Sequence, residues 1–205
     1  KSGTPSIILD DEGNEFARFQ LDRRETVEIS QIPDIAIKAF IAAEDHSFFS
    51  HFGISLKGIC RSTLINLYKR RKIQGASTIT QQVARLLFLS PSKTFLRKIK
   101  EVVLALQIER KFSKNQILEL YLNNIPYGHN SHGIEAAAKT FFNKSAKDLT
   151  IAEATILASL PVAPTRFSPY GSNKDLLMGY YEYDEDTGEK TYKKGRKDLV
   201  LQRML

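Results

Sequence analysis

Two acidic residues of this 205-residue chain, Glu44 and Glu101, stand in settings that could do chemistry. In AAEDHSFFSHFG, Glu44 closes the series Ile37, Phe40, Ile41, Glu44, in line with the apolar stripe of a helix expected from Pro33 to about Asp45 or His46. A carboxylate on a buried helix face resists ionisation, as a general base or acid should. The competing reading ends the helix there and turns Glu44 to solvent. In the helix expected over residues 94–111, Glu101 shares a face with Arg97 (i, i+4) and Lys98 (i, i+3), with Leu96, Ile99, Val103 and Leu106 opposite. That cluster fits an anion site carrying its own carboxylate, or a solvated surface salt-bridge group.

GASTITQQ lies between the two acids. Glycine, serine and threonine at a helix start offer backbone N–H groups, hydroxyls and the positive dipole end, which suit a phosphate; they also simply cap a helix. Arg85 follows one turn on and Lys93 in the next loop. His46 and His51 beside Asp45 invite a metal, but their spacing matches no zinc signature, and hydrogen bonding or capping explains them better. Ser90 and Lys93 form an S-x-x-K with no S-D-N or K-T-G elsewhere, a chance match. Asp184, Asp186 and Gly188 lack the spacing of a calcium loop, so a hairpin turn suffices.

These residues need a mostly helical scaffold. Thr78 with Gln81, Ser113 with Gln116, and Thr150 with Glu153 read as helix starts, and GIEAAAKTFF and RKDLVLQRML as further helices. Residues 7–9 and 16–21 around DDEGN, and 181–192 around DTGE, read as hairpins. Residues 55–72 form a basic amphipathic helix ending in Lys69, Arg70, Arg71 and Lys72. A net charge of +7 favours polyanionic partners, and 42% hydrophobic residues exclude global disorder. One cysteine, Cys60, excludes an internal disulfide framework. No stretch is long and apolar enough to span a membrane. The chain opens at Lys1 and stops within a helical pattern, so it is expected to be a piece of a longer protein.

Taken in order, EDHSFFSHFG, GASTITQQ, RKIKE, KNQILELYLNNIPYG, and GIEAAAKTFF with ATILASLPVAPTRFSPY resemble the motifs of family 51 glycosyltransferases. These are the peptidoglycan-polymerising domains of bifunctional class A penicillin-binding proteins. The resemblance implies a mainly α, lysozyme-like fold with a large head lobe, a smaller membrane-facing lobe and minor β hairpins. It divides the chain into residues 1–28, a hairpin and linker after a membrane anchor; 29–178, the glycosyltransferase domain; and 179–205, an exposed hairpin and a helix leading to a transpeptidase domain.

The implied activity is polymerisation of lipid II into β-1,4-linked glycan strands by an inverting mechanism, with Glu44 as general base and pyrophosphate-lipid as leaving group. Glu101 would be the second essential carboxylate. Asp45, Phe48 and His51 would shape the site, while Ser77, Thr78, Gln82 and Arg85 would contact substrate. Arg97, Lys98 and Lys93 would face the pyrophosphate; Asn123 and Tyr127 match the fourth motif, and Arg166 the fifth. No cofactor is implied outright; Mg2+ or Mn2+ near Glu101 is the one metal the pattern admits. The implied partners are lipid II, the growing lipid-linked glycan and an anionic membrane surface, with no nucleic acid. The implied place is the outer face of the bacterial cytoplasmic membrane. Two rivals stand: a lysozyme-like hydrolase or lytic transglycosylase, and a non-catalytic basic module that binds nucleic acid or anionic lipid.

Overall fold

A computed structural model describes residues 6–9, 15–19, 23–68, 77–92, 94–184 and 189–205. Helix α1 (Asp34–Glu44) buries Ala36, Ala39 and Phe40 and packs against α7 (Ile151–Ser159) and α9 (Arg196–Met204). Helix α3 (Ile79–Phe88) packs against α4 (Phe95–Lys111) and α5 (Lys114–Asn124). Phe40, Ile79, Val83, Ile117, Leu118, Tyr121 and Leu157 join one continuous core between these groups. Thr78, Ser113 and Thr150 cap α3, α5 and α7, each accepting from the backbone N–H three residues on, as their sequence pattern predicts.

Helix α6 (Ile134–Phe142) is alanine-rich and deeply buried. Short strand β4 (Pro126–Gly128) pairs antiparallel with β5 (Ser131–His132), which pairs parallel with β3 (Arg23–Arg24). The remaining strands form two antiparallel hairpins, β1 (Ser6–Leu9) with β2 (Glu15–Phe19), and β6 (Tyr180–Tyr183) with β7 (Lys190–Lys193). The strands of both hairpins match the sequence expectation, although residues 185–188 at the DTGE turn, the DDEGN turn at 10–14 and residues 20 and 21 lie outside the described residues. A single-turn helix α8 (Lys174–Met178) precedes β6.

Helix α2 (Leu56–Tyr68) is turned inside out. Ser62, and Ser55 just ahead of the helix, are buried, whereas Leu64 and Leu67 are 67% and 75% exposed. The start of α4 behaves alike, with Phe95, Leu96, Ile99 and Val103 exposed and Glu101 only 1% exposed. The stripe that a water-soluble helix would bury therefore faces outward on both helices; on α4 Arg97, Lys98 and Glu101 turn inward, whereas Lys57 and Arg61 of α2 are exposed beside its apolar residues. Residues 69–72, expected to end the basic helix, fall outside the described residues.

Candidate active site

Glu44 is the last residue of α1, partly buried, with its carboxylate turned into the protein rather than out to solvent. Its Oε2 accepts from Gln82 Nε2 at 2.8 Å, while Oε1 is buried and has no hydrogen-bond partner among the described residues. Burial pushes its pKa above the ordinary 4.5; the Gln82 bond and the charges of Arg196 and Arg85 act against that rise, and Asp45 adds to it. The Tyr121 and Tyr127 hydroxyls are also buried and unpartnered among the described residues. Desolvation raises both phenols well above 10.0, so they stay protonated beside Glu44.

The next residue, Asp45, does a different job. Its Oδ2 accepts from His51 Nε2 at 2.8 Å and from the Ile79 backbone N–H at 3.1 Å. Gly53 N donates to His51 Nδ1 at 3.1 Å, so the His51 proton sits on Nε2 and points at Asp45. Thr78 Oγ1 donates to Gly53 O at 2.6 Å, closing a latch between the α1–α2 segment and the start of α3. The anion seated on the Ile79 N–H at that helix start is thus the protein's own Asp45. Gly53 is required: at φ +97° an added Cβ would lie 2.9 Å from Glu109 Cγ and 3.1 Å from Ala105 O.

Glu101 sits on the inner face of α4 with both carboxylate oxygens engaged. Arg97 Nη1 donates to Oε2 at 3.0 Å and Lys98 Nζ to Oε1. Lys98 also donates to Ser77 Oγ at 2.9 Å and stays 43% exposed, which leaves its ammonium within reach of an incoming anion. The sequence-level alternative of a solvated surface cluster is therefore replaced by a buried carboxylate. Helix α3 spans the two acids: Gln82 holds Glu44, and Ser77, two residues before the helix, holds the lysine that pairs with Glu101.

The other expected residues fall in several places. Arg85 is exposed but acts on Glu44 through space. Phe48 is fully buried under the Lys114 ammonium, 4.4 Å from its ring centroid, and Tyr127 packs edge-on against Phe40. The Asn123 amide is committed to the Val27 backbone, accepting from its N–H at 3.0 Å and donating to its carbonyl at 2.8 Å. Arg166 lies over Phe167, 5.7 Å from the ring centroid. Lys93 is outside the described residues.

Three charged residues were missed. Lys114 donates to His51 O at 2.6 Å and to Glu109 Oε1 at 2.8 Å, and Thr80 Oγ1 donates to the same Glu109 oxygen at 2.5 Å. Arg196 donates from Nε to Ser159 O at 3.1 Å, and its positive charge favours the ionised form of Glu44. Lys114 could have been picked out from KNQILELYLNNIPYG; Glu109 and Arg196 carry no local signal.

A divalent cation at Glu101 does not fit this donor set. Both oxygens face cationic partners, and among the described residues no group of three or more His, Cys, Asp or Glu residues is placed to hold a metal.

The transglycosylase family model matches residues 12–205. The chain belongs to the transglycosylase family. This transglycosylase domain is 46% identical over 164 residues to penicillin-binding protein 1F of Bacillus subtilis (strain 168), covering 80% of the chain and 23% of that protein. It is 42% identical over 201 residues to penicillin-binding protein 1A of Escherichia coli (strain K12), covering 98% of the chain and 22% of that protein. The chain thus spans about a quarter of the length of such relatives. A crystal structure of penicillin-binding protein 1A from Haemophilus influenzae covers the whole chain at a TM-score of 0.50 and 25% identity, using 18% of its own length. The mostly helical, lysozyme-like fold implied by the motif resemblance is the fold found here.

Proposed function

We propose that this domain polymerises a lipid-linked disaccharide, lipid II, into β-1,4 glycan by inverting displacement. The observation that carries the reading is the contrast within one helical frame between Glu44, buried with a free oxygen, and Glu101, buried but neutralised. Glu44 Oε1 takes the proton of the acceptor 4-hydroxyl as that oxygen bonds to the donor sugar's anomeric carbon. The bond from that carbon to the pyrophosphate oxygen breaks with its electron pair, and the leaving group gains negative charge. Lys98, Arg97 and Arg85 stabilise that charge, with Ser77 holding Lys98 in place and Lys93 joining them. Asp45, His51 and Thr78 latch the α1–α2 segment onto α3, and Gln82 orients Glu44. Phe48, Tyr127 and Asn123 back the site from the core.

The expected separation into a head lobe and a membrane-facing lobe, with residues 1–28 and 179–205 as flanks, belongs to the same proposal. So do the anchor, the following transpeptidase and the placement on the outer face of the membrane. The outward apolar faces of α2 and α4 support an acyl-chain environment, where lipid II resides. The assay is polymerisation of purified lipid II in detergent by the wild type, Glu44→Gln and Lys98→Ala, each checked for folding. Polymer from the wild type and none from folded Glu44→Gln supports the reading. Digestion of finished glycan without polymerisation would favour the hydrolase instead.

A further inference from the structure

Three helices meet beneath the segment that joins α1 to α2. Lys114 opens α5, Glu109 stands in the last turn of α4, and Thr80 lies in the first turn of α3. We propose that Lys114, held by Glu109, is a positioning residue that fixes the His51 ring as the donor to Asp45 and so keeps the Glu44–Gln82 pair in place for the reaction. This rests on the reading of Glu44 as the base.

The Lys114 ammonium is gripped from three directions. It donates to the His51 carbonyl at 2.6 Å and to Glu109 Oε1 at 2.8 Å, and it lies 4.4 Å from the centroid of the Phe48 ring. Phe48 opens the helical turn Phe48–Ser50 and His51 follows it, so one cation holds both ends of that turn. Glu109 is fixed as well. Thr80 Oγ1 donates to the same Oε1 at 2.5 Å, and Glu109 Cγ closes over Gly53, where an added Cβ would lie 2.9 Å from it. Helix-end preference does not explain this pair. An ammonium at the first position of a helix and a carboxylate in the last turn each sit at the dipole end that repels them. Both charges are stabilised across helices instead, by each other and by the segment they hold.

The consequence falls on His51. Lys114 pins the His51 carbonyl, and Thr78 Oγ1 pins that of Gly53 at 2.6 Å. With both carbonyls held, the Gly53 N–H stays 3.1 Å from His51 Nδ1, and the ring proton stays on Nε2, 2.8 Å from Asp45 Oδ2. Asp45 also accepts from the Ile79 N–H at 3.1 Å, which docks the start of α3, and Gln82, three residues on, donates to Glu44 at 2.8 Å. The chain of contacts therefore runs from Lys114 through His51, Asp45 and α3 to Glu44. The ammonium acts through this latch rather than on substrate.

The test reads the His51 ring by 15N NMR of the chain labelled at its four histidines, with His51→Gln assigning the signals, beside steady-state polymerisation of lipid II. In the wild type one ring nitrogen should read as protonated and the other as bare. Lys114→Met keeps the apolar stem and removes the ammonium, so both signals should move toward the average of two tautomers. Its kcat should fall about tenfold at unchanged KM, short of the ~10²-fold that a full ångström of misplacement costs. Lys114→Arg, which keeps the cation and its donors, should bring back the fixed tautomer and most of kcat. If Lys114→Met does not fold, Glu109→Gln, which removes only the counter-charge, should give both changes at smaller size. A His51 ring that stays fixed in the folded variants, or a freed ring with unchanged kcat, would overturn the proposal. So would a raised KM at unchanged kcat, which would make the ammonium a substrate contact. If the wild type makes no polymer, the reading of Glu44 falls, while a freed ring in Lys114→Met would still uphold the latch and a fixed ring overturn it.

Discussion

Glu44 and Glu101 are inward-turned acids on two helices, α1 and α4, that α3 bridges, yet their surroundings are opposite. Glu44 has one neutral donor, Gln82, and a free oxygen, and burial drives its proton affinity up. Glu101 has a cation on each oxygen. The first arrangement stores a tendency to accept a proton; the second spends its charge on holding two cations in place. The difference assigns base chemistry to one carboxylate and anion-site architecture to the other, although both are glutamates in short charged motifs.

The largest effect that could break this contrast is on turnover. Glu44→Gln should lower polymerisation about 10³-fold with the fold intact, the scale of a lost general base. Lys98→Ala should cost about 10²-fold, because a donor to the leaving group is lost while the base remains. Stability sharpens the contrast through opposite signs. Glu101→Gln leaves Arg97 and Lys98 facing each other and should destabilise the chain by about 2 kcal/mol, below the full cost of a broken buried pair because Lys98 reaches water; denaturant melts measure it.

Glu44→Gln should instead stabilise at neutral pH. The folded chain holds the Glu44 proton to higher pH than the unfolded chain does, so wild-type stability falls as pH rises from 4.5 through the folded pKa. The advantage of the variant should shrink as pH is lowered toward 4.5. Melting temperatures of the two proteins against pH check this, the smallest of the effects.

Much of the frame is legible in the residues. The capping pairs Thr78–Gln81, Ser113–Gln116 and Thr150–Glu153 mark real helix starts because they depend on contacts three residues apart. The run to Glu44 puts that residue in line with the apolar stripe but leaves open a turn to solvent, because α1 does end at Glu44; the bond from Gln82, 38 residues on, turns it inward. Helix α4 is harder: its periodicity places Arg97, Lys98 and Glu101 together but cannot say which face turns inward, and here the apolar face is the outer one. Lys114 reaches His51 across 63 residues, and Arg196 reaches the end of α7, contacts that no local pattern encodes. Asn123 was legible as special but not as the clasp on Val27, since its partner lies 96 residues away. The two-residue parallel pairing of β3 with β5 is too short to leave a pattern.

The division of labour between the two acids is tested most directly by the polymerisation rate against pH for the wild type and Glu101→Gln. If Glu44 is the base, Glu101→Gln lowers the whole profile but keeps the acid limb at the wild-type position. Loss of that limb in Glu101→Gln, with the limb retained in residual Glu44→Gln activity, would make Glu101 the base and contradict the assignment.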